Sequence, residues 1–281
     1  MRYDTAFCER EYNNRAMIPD HAAIFARWAG QGAAARRDTV CRLDIAYGED
    51  PSERLDYFPT VQAGAPLFVF IHGGYWRSLD KSDFSWIAPP LALDGANVAL
   101  LNYALCPAVT MEAIVRQVLS AFAWLHRHAG PLDFDRDRIV AAGHSAGGHL
   151  AAMMLAARWR ELDARLPSDM VKGALAVSGL YDLEPLMYAP FVNADLRLDQ
   201  SAADRLSPAL FASATDAPLV TAVGGDESGE FKRQNRLIAE AWPRNFRRDV
   251  PMPGFNHLTV CDQFAEPASP LFVAALELLG L

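Results

Sequence analysis

The sequence predicts an α/β fold, with a mostly parallel central sheet, helices on both faces and a small helical cap. Three observations carry that expectation. Continuous apolar runs recur at 66–71, 97–101, 139–142, 171–177 and 217–223, the pattern of strands buried on both faces. Stretches with apolar residues at helical spacing separate them, clearest at 110–129 with Ile114, Val118, Phe122 and Leu125. Several runs end in glycine-bearing turns, as at His72-Gly73-Gly74, Gly143-His144-Ser145, Ser178-Gly179 and Gly224-Gly225. Such turns belong at the carboxyl ends of strands, where open α/β sheets bind their ligands.

The elements follow in order. Residues 9–32 read as helical, with Ile24, Phe25 and Trp28 at compatible spacing and Tyr12-Asn13-Asn14-Arg15 as a preceding loop. This N-terminal arm, about 1–35, is expected to pack over the body. Residues 39–47 alternate as a strand that offers Val40, Leu43 and Ile45 to the core, and 48–52 form a turn. A second short strand, 55–58, completes an antiparallel edge. The helix at 110–129 stops at Gly130-Pro131, with His126 and His128 as surface residues near its dipole's negative end. Between about 183 and 212 the alternation lapses into short pieces punctuated by Pro185, Pro190 and Pro208. A stretch of that kind reads as a cap inserted over an active site. A helix at 229–242 carries Phe231, Leu237 and Ile238 inward, 246–250 is the last strand, 254–257 a loop and 270–279 a terminal helix. The whole chain, 1–281, reads as a single domain.

Composition narrows the function. With 51% hydrophobic and 21% charged residues the chain is globular, not disordered. A net charge of −8 argues against nucleic acid or an anionic membrane as partner. No apolar run approaches the roughly 18 residues of a membrane span. Residues 1–20 mix Arg, Asp and Glu and lack the apolar centre of a signal peptide, so the expected compartment is the cytoplasm. Cys8, Cys41, Cys106 and Cys261 stand singly, which favours reduced thiols over a disulfide framework or a zinc site. No cofactor or metal is expected. The expected partner is a small-molecule substrate, and a homodimer is left open.

The chemistry is carried by Gly143-His144-Ser145-Ala146-Gly147, set between the 139–142 strand and a helix-favouring run from Leu150. Strand, tight turn and helix are the context of a nucleophile elbow, which lifts Ser145 above the sheet. Missing Cβ atoms at Gly143 and Gly147 allow the bend and the close packing behind it. A second signal, His72-Gly73-Gly74-Tyr75-Trp76, follows a buried strand. The N–H groups of Gly74, Tyr75 and Ala146 are the candidate oxyanion donors, and His72 is expected to brace the loop. A serine hydroxyl needs a base, and that base an orienting acid, in the chain order Ser, Asp or Glu, His. His149 sits on the elbow helix and points away, which leaves His257 as the base. Asp226, ending a buried strand, is the preferred acid, with Asp182 the alternative; the expected triad is Ser145, Asp226 and His257.

These motifs, together with Gly225-Asp226-Glu227-Ser228 and Phe231-Lys232-Arg233-Gln234, resemble the arylformamidase (kynurenine formamidase) branch of the α/β-hydrolases from about Asp56 onward. The resemblance implies metal-independent hydrolysis of N-formyl-L-kynurenine to kynurenine and formate, with oxyanion donors at Gly74 and Tyr75. One departure is Asn256-His257-Leu258-Thr259-Val260-Cys261, where the family more usually has an aromatic after the histidine and an acid further on. The same motifs serve general short-chain carboxylesterases. A catalytically inactive binding homologue would lack a triad member, and none is missing. For an aryl leaving group the expected pocket residues are Trp76, Tyr181, Tyr188 and Phe191, and for a substrate carboxylate the cap offers Asn193, Arg197 and Ser201.

Overall fold

The structure is a computed structural model that describes residues 3–281. Eight strands form one sheet: β1 (Arg42–Ala46), β2 (Arg54–Phe58), β3 (Ala65–Ile71), β4 (Asn97–Leu101), β5 (Phe134–His144), β6 (Val171–Val177), β7 (Leu219–Gly224) and β8 (Phe246–Met252). Their spatial order is β1-β2-β4-β3-β5-β6-β7-β8. β2 pairs antiparallel with β1 and β4, and every later pairing is parallel.

The apolar runs are continuous because both faces of the sheet are covered. Along β3, Leu67, Val69 and Ile71 join one buried cluster while Phe68 and Phe70 join the other, the two-residue alternation of a strand. The first cluster packs the helices Met111–Arg127 and Ala146–Ala156, through Ile114, Val118, Phe122 and Leu150. The second packs His21–Asp38 and Pro270–Leu279, through Ile24, Trp28, Leu271 and Phe272.

Three expectations are corrected here. The first strand starts at Arg42, and Val40 and Leu43 are 77% and 44% exposed. β1 is the sheet's edge, with no neighbour beyond it and little to bury its outer side chains. His126 is buried, not on the surface. The N-terminal arm is three helices, Thr5–Tyr12, Asn14–Met17 and His21–Asp38. The Asn13 side chain breaks the first run by capping the second, accepting from Ala16 N–H.

Several polar side chains are taken out of water deliberately. His72 is fully buried, stacked on Tyr103 at 4.4 Å between ring centres, with Nδ1 2.8 Å from Gly73 O and Nε2 3.2 Å from Asn102 Oδ1. It braces the loop as expected. His149 is likewise buried, with Nε2 2.8 Å from Leu206 O, and burial pushes it down to about 4. Burial also lowers His72 and His144. These rings stay neutral in the fold, whereas the unfolded chain takes up protons below its ordinary value of about 6.5. The stability they contribute is therefore complete above that pH and is lost as the pH falls towards the folded values. His149 alone should cost about 2 kcal/mol of stability between pH 7 and pH 5. Guanidinium unfolding at the two pH values checks this, and His149→Gln should flatten part of the slope; equal midpoints in the wild type would contradict it.

Candidate active site

β5 runs straight into the turn at Ser145, which has φ 58° and ψ −118°, and the helix Ala146–Ala156 starts at the next residue. Such backbone costs about 1–3 kcal/mol for a non-glycine residue and persists only where its surroundings enforce it. Here Ser145 N–H donates to Val177 O at 2.8 Å, which ties the elbow to β6. A Cβ on Gly147 would lie 1.9 Å from Ile71 O, and one on Gly143 would lie 2.3 Å from the Gly147 backbone. Both glycines are required by that close packing of the helix on β3.

Three side chains from the carboxyl ends of separate strands meet above the elbow. His257 Nε2 is 3.0 Å from Ser145 Oγ, and His257 Nδ1 is 2.6 Å from Glu227 Oε2. All three are buried. With Nδ1–H donating to Glu227, the other ring nitrogen is free to accept the Ser145 proton. Glu227 also accepts from Gly224 N–H at 2.7 Å and from the Ser178 hydroxyl. Three donors fix the carboxylate's orientation and offset its burial.

The acid is thus a correction: Glu227, not Asp226, contacts the histidine. Gly224 to Glu227 form a tight turn, with Glu227 N–H donating to Gly224 O, and Asp226 N–H is engaged by Phe255 O. That turn sends the Asp226 side chain to solvent and brings the longer Glu227 side chain back over the end of β7. Asp182, the alternative, is committed elsewhere, paired with Arg233 at 3.1 Å. His144 turns its Nε2 to the His257 carbonyl at 2.7 Å, which holds the loop carrying the base. Burial, and then the nearby His257, keep His144 well below its ordinary value.

The His-Gly-Gly-Tyr-Trp loop lies beside Ser145. Gly74 has φ +102°, and a Cβ there would meet Ser78 O at 2.1 Å, so only glycine fits. Gly74 O accepts from the N–H groups of Arg77 and Ser78, both at 3.1 Å. Among the described residues no acceptor takes the Gly74 or Tyr75 N–H. Gly74, Tyr75, Ser145 and His257 line one cavity, and Ala146 begins the helix beneath it.

The predicted aromatic pocket is partly corrected. Phe191 lines the cavity and meets the Tyr75 ring edge-on at 5.9 Å. Trp76 and Tyr181 are fully buried core residues, Trp76 against the edge of His149. Tyr188 lies against Tyr3, away from the cavity. Asn193 is used up holding Met187 O and the Leu198 backbone, Ser201 bonds to Arg205, and Arg197 does not line the cavity. In their place the N-terminal arm supplies Asn13, Asn14, Arg15, Phe25 and Trp28. The arm is therefore a wall of the site, not just packing over the body. Its polar Asn13-Asn14-Arg15 run, ahead of Phe25 and Trp28, was the available signal.

Among the described residues no three His, Cys, Asp or Glu side chains are grouped to hold a metal ion, and no helix is long and apolar enough to cross a membrane.

Known proteins match this architecture. The BD-FAE family matches residues 55–229. Kynurenine formamidase of Danio rerio is 35% identical over 257 residues, covering 88% of this chain and 84% of its own. The Drosophila melanogaster kynurenine formamidase is 37% identical over 232 residues, covering 79% and 73%. A Silicibacter sp. crystal structure described as a thioesterase superposes with a TM-score of 0.85 at 33% identity over 99% of both chains. Esterase B of Lactobacillus rhamnosis, at 22% identity and a TM-score of 0.72, shares the fold. With its elbow serine, its parallel sheet and relatives of this similarity along most of its length, the chain belongs to the kynurenine formamidase family of α/β-hydrolases.

Proposed function

We propose that the protein hydrolyses N-formyl-L-kynurenine, or a closely similar aryl formamide, to the free arylamine and formate through a covalent serine intermediate. The observation that carries this is the unbroken relay from Ser145 Oγ to His257 to Glu227, at 3.0 and 2.6 Å, opening onto an aromatic-walled cavity. Ser145 Oγ attacks the formyl carbon as His257 Nε2 takes its proton, and Glu227 steadies the imidazolium that forms. The oxygen that becomes negative is received by the N–H groups of Gly74, Tyr75 and Ala146, each such donor typically contributing about 10²–10³ in rate. Collapse breaks the C–N bond, and His257 returns the proton to the leaving nitrogen. Water, deprotonated by the same histidine, then releases formate from Ser145. His257 passes that second proton back to Ser145 Oγ as formate leaves, so the protons are exchanged among protein, substrate and water and the relay needs no added cofactor.

Formyl is the smallest acyl group, and the Tyr75, Phe191, Phe25 and Trp28 rings line the cavity where an aryl leaving group would sit. Offset or edge-on contacts suit a planar aryl ketone. The short-chain esterase reading uses the same relay. A kcat/KM panel of N-formylkynurenine beside 4-nitrophenyl esters of increasing acyl length separates the two. The formamide and the acetyl ester should lead, with rates falling as the acyl chain lengthens. Faster turnover of octanoyl than of acetyl ester would contradict the formamidase reading.

A further inference from the structure

The cavity has a chemical asymmetry that the hydrolytic relay does not use. Its lining includes two guanidinium groups, Arg15 and Arg77, and no carboxylate. Arg77 is neutralised by Asp195. Arg15 is not: its Nη2 donates to the uncharged Ser78 Oγ at 3.0 Å, and its guanidinium lies 5.5 Å from the centre of the Phe25 ring. Partial burial, and then the like charge of Arg77, hold Arg15 below its ordinary value. Beside it, Asn14 is buried, lines the same cavity, and has no hydrogen-bond partner for Nδ2 among the described residues.

From this juxtaposition we infer that Arg15, with Asn14 at its side, is the substrate-carboxylate subsite, which makes the N-terminal arm the part of the protein that selects acidic aryl substrates. The inference rests on the hydrolase reading above and adds the specificity to it. A guanidinium presents a planar fork of donors that matches a carboxylate, and its aromatic neighbours suit the ring that the carboxylate is attached to. Ser78 links the subsite to the chemistry, since its hydroxyl accepts from Arg15 and donates to Gly74 O at 3.0 Å. A carboxylate on Arg15 would thus bear on the same loop that holds the oxyanion.

The test compares N-formylkynurenine with its methyl ester, in which a methyl group replaces the negative charge, in the wild type, Arg15→Ala and Arg15→Lys. The readout is the ratio of kcat/KM for acid over ester. A hydrogen bond to a charged group is worth enough that Arg15→Ala should lower this ratio about 10- to 100-fold, chiefly through KM of the acid. Arg15→Lys should recover part of it, which a purely structural role would not produce. An unchanged ratio in Arg15→Ala, or a wild type indifferent to the charge, overturns the inference. If the wild type cleaves neither compound, it is the formamidase reading that fails. The subsite is then read from inhibition of 4-nitrophenyl acetate hydrolysis by kynurenine against kynurenine methyl ester. The acid should bind more tightly in the wild type and lose that advantage in Arg15→Ala; equal inhibition by both in the wild type overturns the inference.

Discussion

Replacing Ser145 by alanine should lower kcat/KM for every substrate by about 10⁶-fold, because in the proposed mechanism the hydroxyl is the bond-forming atom. The fold should survive. The Ser145 side chain touches the base and the cavity, while the elbow is held by its backbone: N–H to Val177 O, and carbonyl to His149 N–H at 3.1 Å. Alanine keeps those bonds. Activity and a thermal unfolding curve measured together separate the two effects, and a variant inactive only because it is unfolded would not count in favour.

The second large effect distinguishes two adjacent acids. Glu227→Gln should lower kcat by about 10⁴-fold, since an amide holds His257 less well in the useful tautomer and removes the charge that stabilises its protonated form. Asp226→Asn, a change at a solvent-facing side chain, should stay within about two-fold of the wild type. The same assay applied to both variants decides between the adjacent acids. A large loss in Asp226→Asn with a mild one in Glu227→Gln would reverse the assignment.

Why the sequence pointed to Asp226 when Glu227 contacts the histidine is a matter of turn geometry. The alternating buried runs place β3 to β7 and their carboxyl ends, and the glycines mark where the chain turns tightly enough to expose Ser145. Those features are local, so sequence pattern reports them. Which residue of Gly225-Asp226-Glu227 reaches the histidine depends on the Gly224–Glu227 hydrogen bond and on Phe255 O holding Asp226 N–H. The first is local to the turn, but the second is set by a partner loop about thirty residues away in the chain, and no periodicity encodes that. The pocket was misread for a related reason. Trp76 and Tyr181 have the ring chemistry of a binding wall, yet they are swallowed by the core; Trp76 lies against His149 on the elbow helix. Burial of that kind is a tertiary property.

The arm shows the same limit from the other side. Its helices do cover the body: Trp28 packs on Phe84 and Trp86, and its ring N–H donates to Asp262 at 2.6 Å. Tyr12 reaches Glu230 at 2.7 Å and Tyr75 donates to Tyr12 O at 2.6 Å, which docks the arm against both the helix after β7 and the His-Gly-Gly-Tyr-Trp loop. Those contacts bring residues from the start of the chain to a site built from strand ends near its middle and finish. Apart from the polar Asn13-Asn14-Arg15 run, the sequence carried no hint of that meeting.

The central claim, that Ser145 is the nucleophile activated by His257 and Glu227, is tested most directly by covalent capture. The wild type, Ser145→Ala and Glu227→Gln are each treated with a small aryl phosphonate, followed by intact-mass measurement and peptide mapping. The account predicts one phosphonyl group per wild-type chain, located on Ser145 and gained in step with the loss of activity. It predicts no label in Ser145→Ala and labelling slowed by orders of magnitude in Glu227→Gln. Labelling at another residue, or full activity in the enzyme labelled at Ser145, would contradict it.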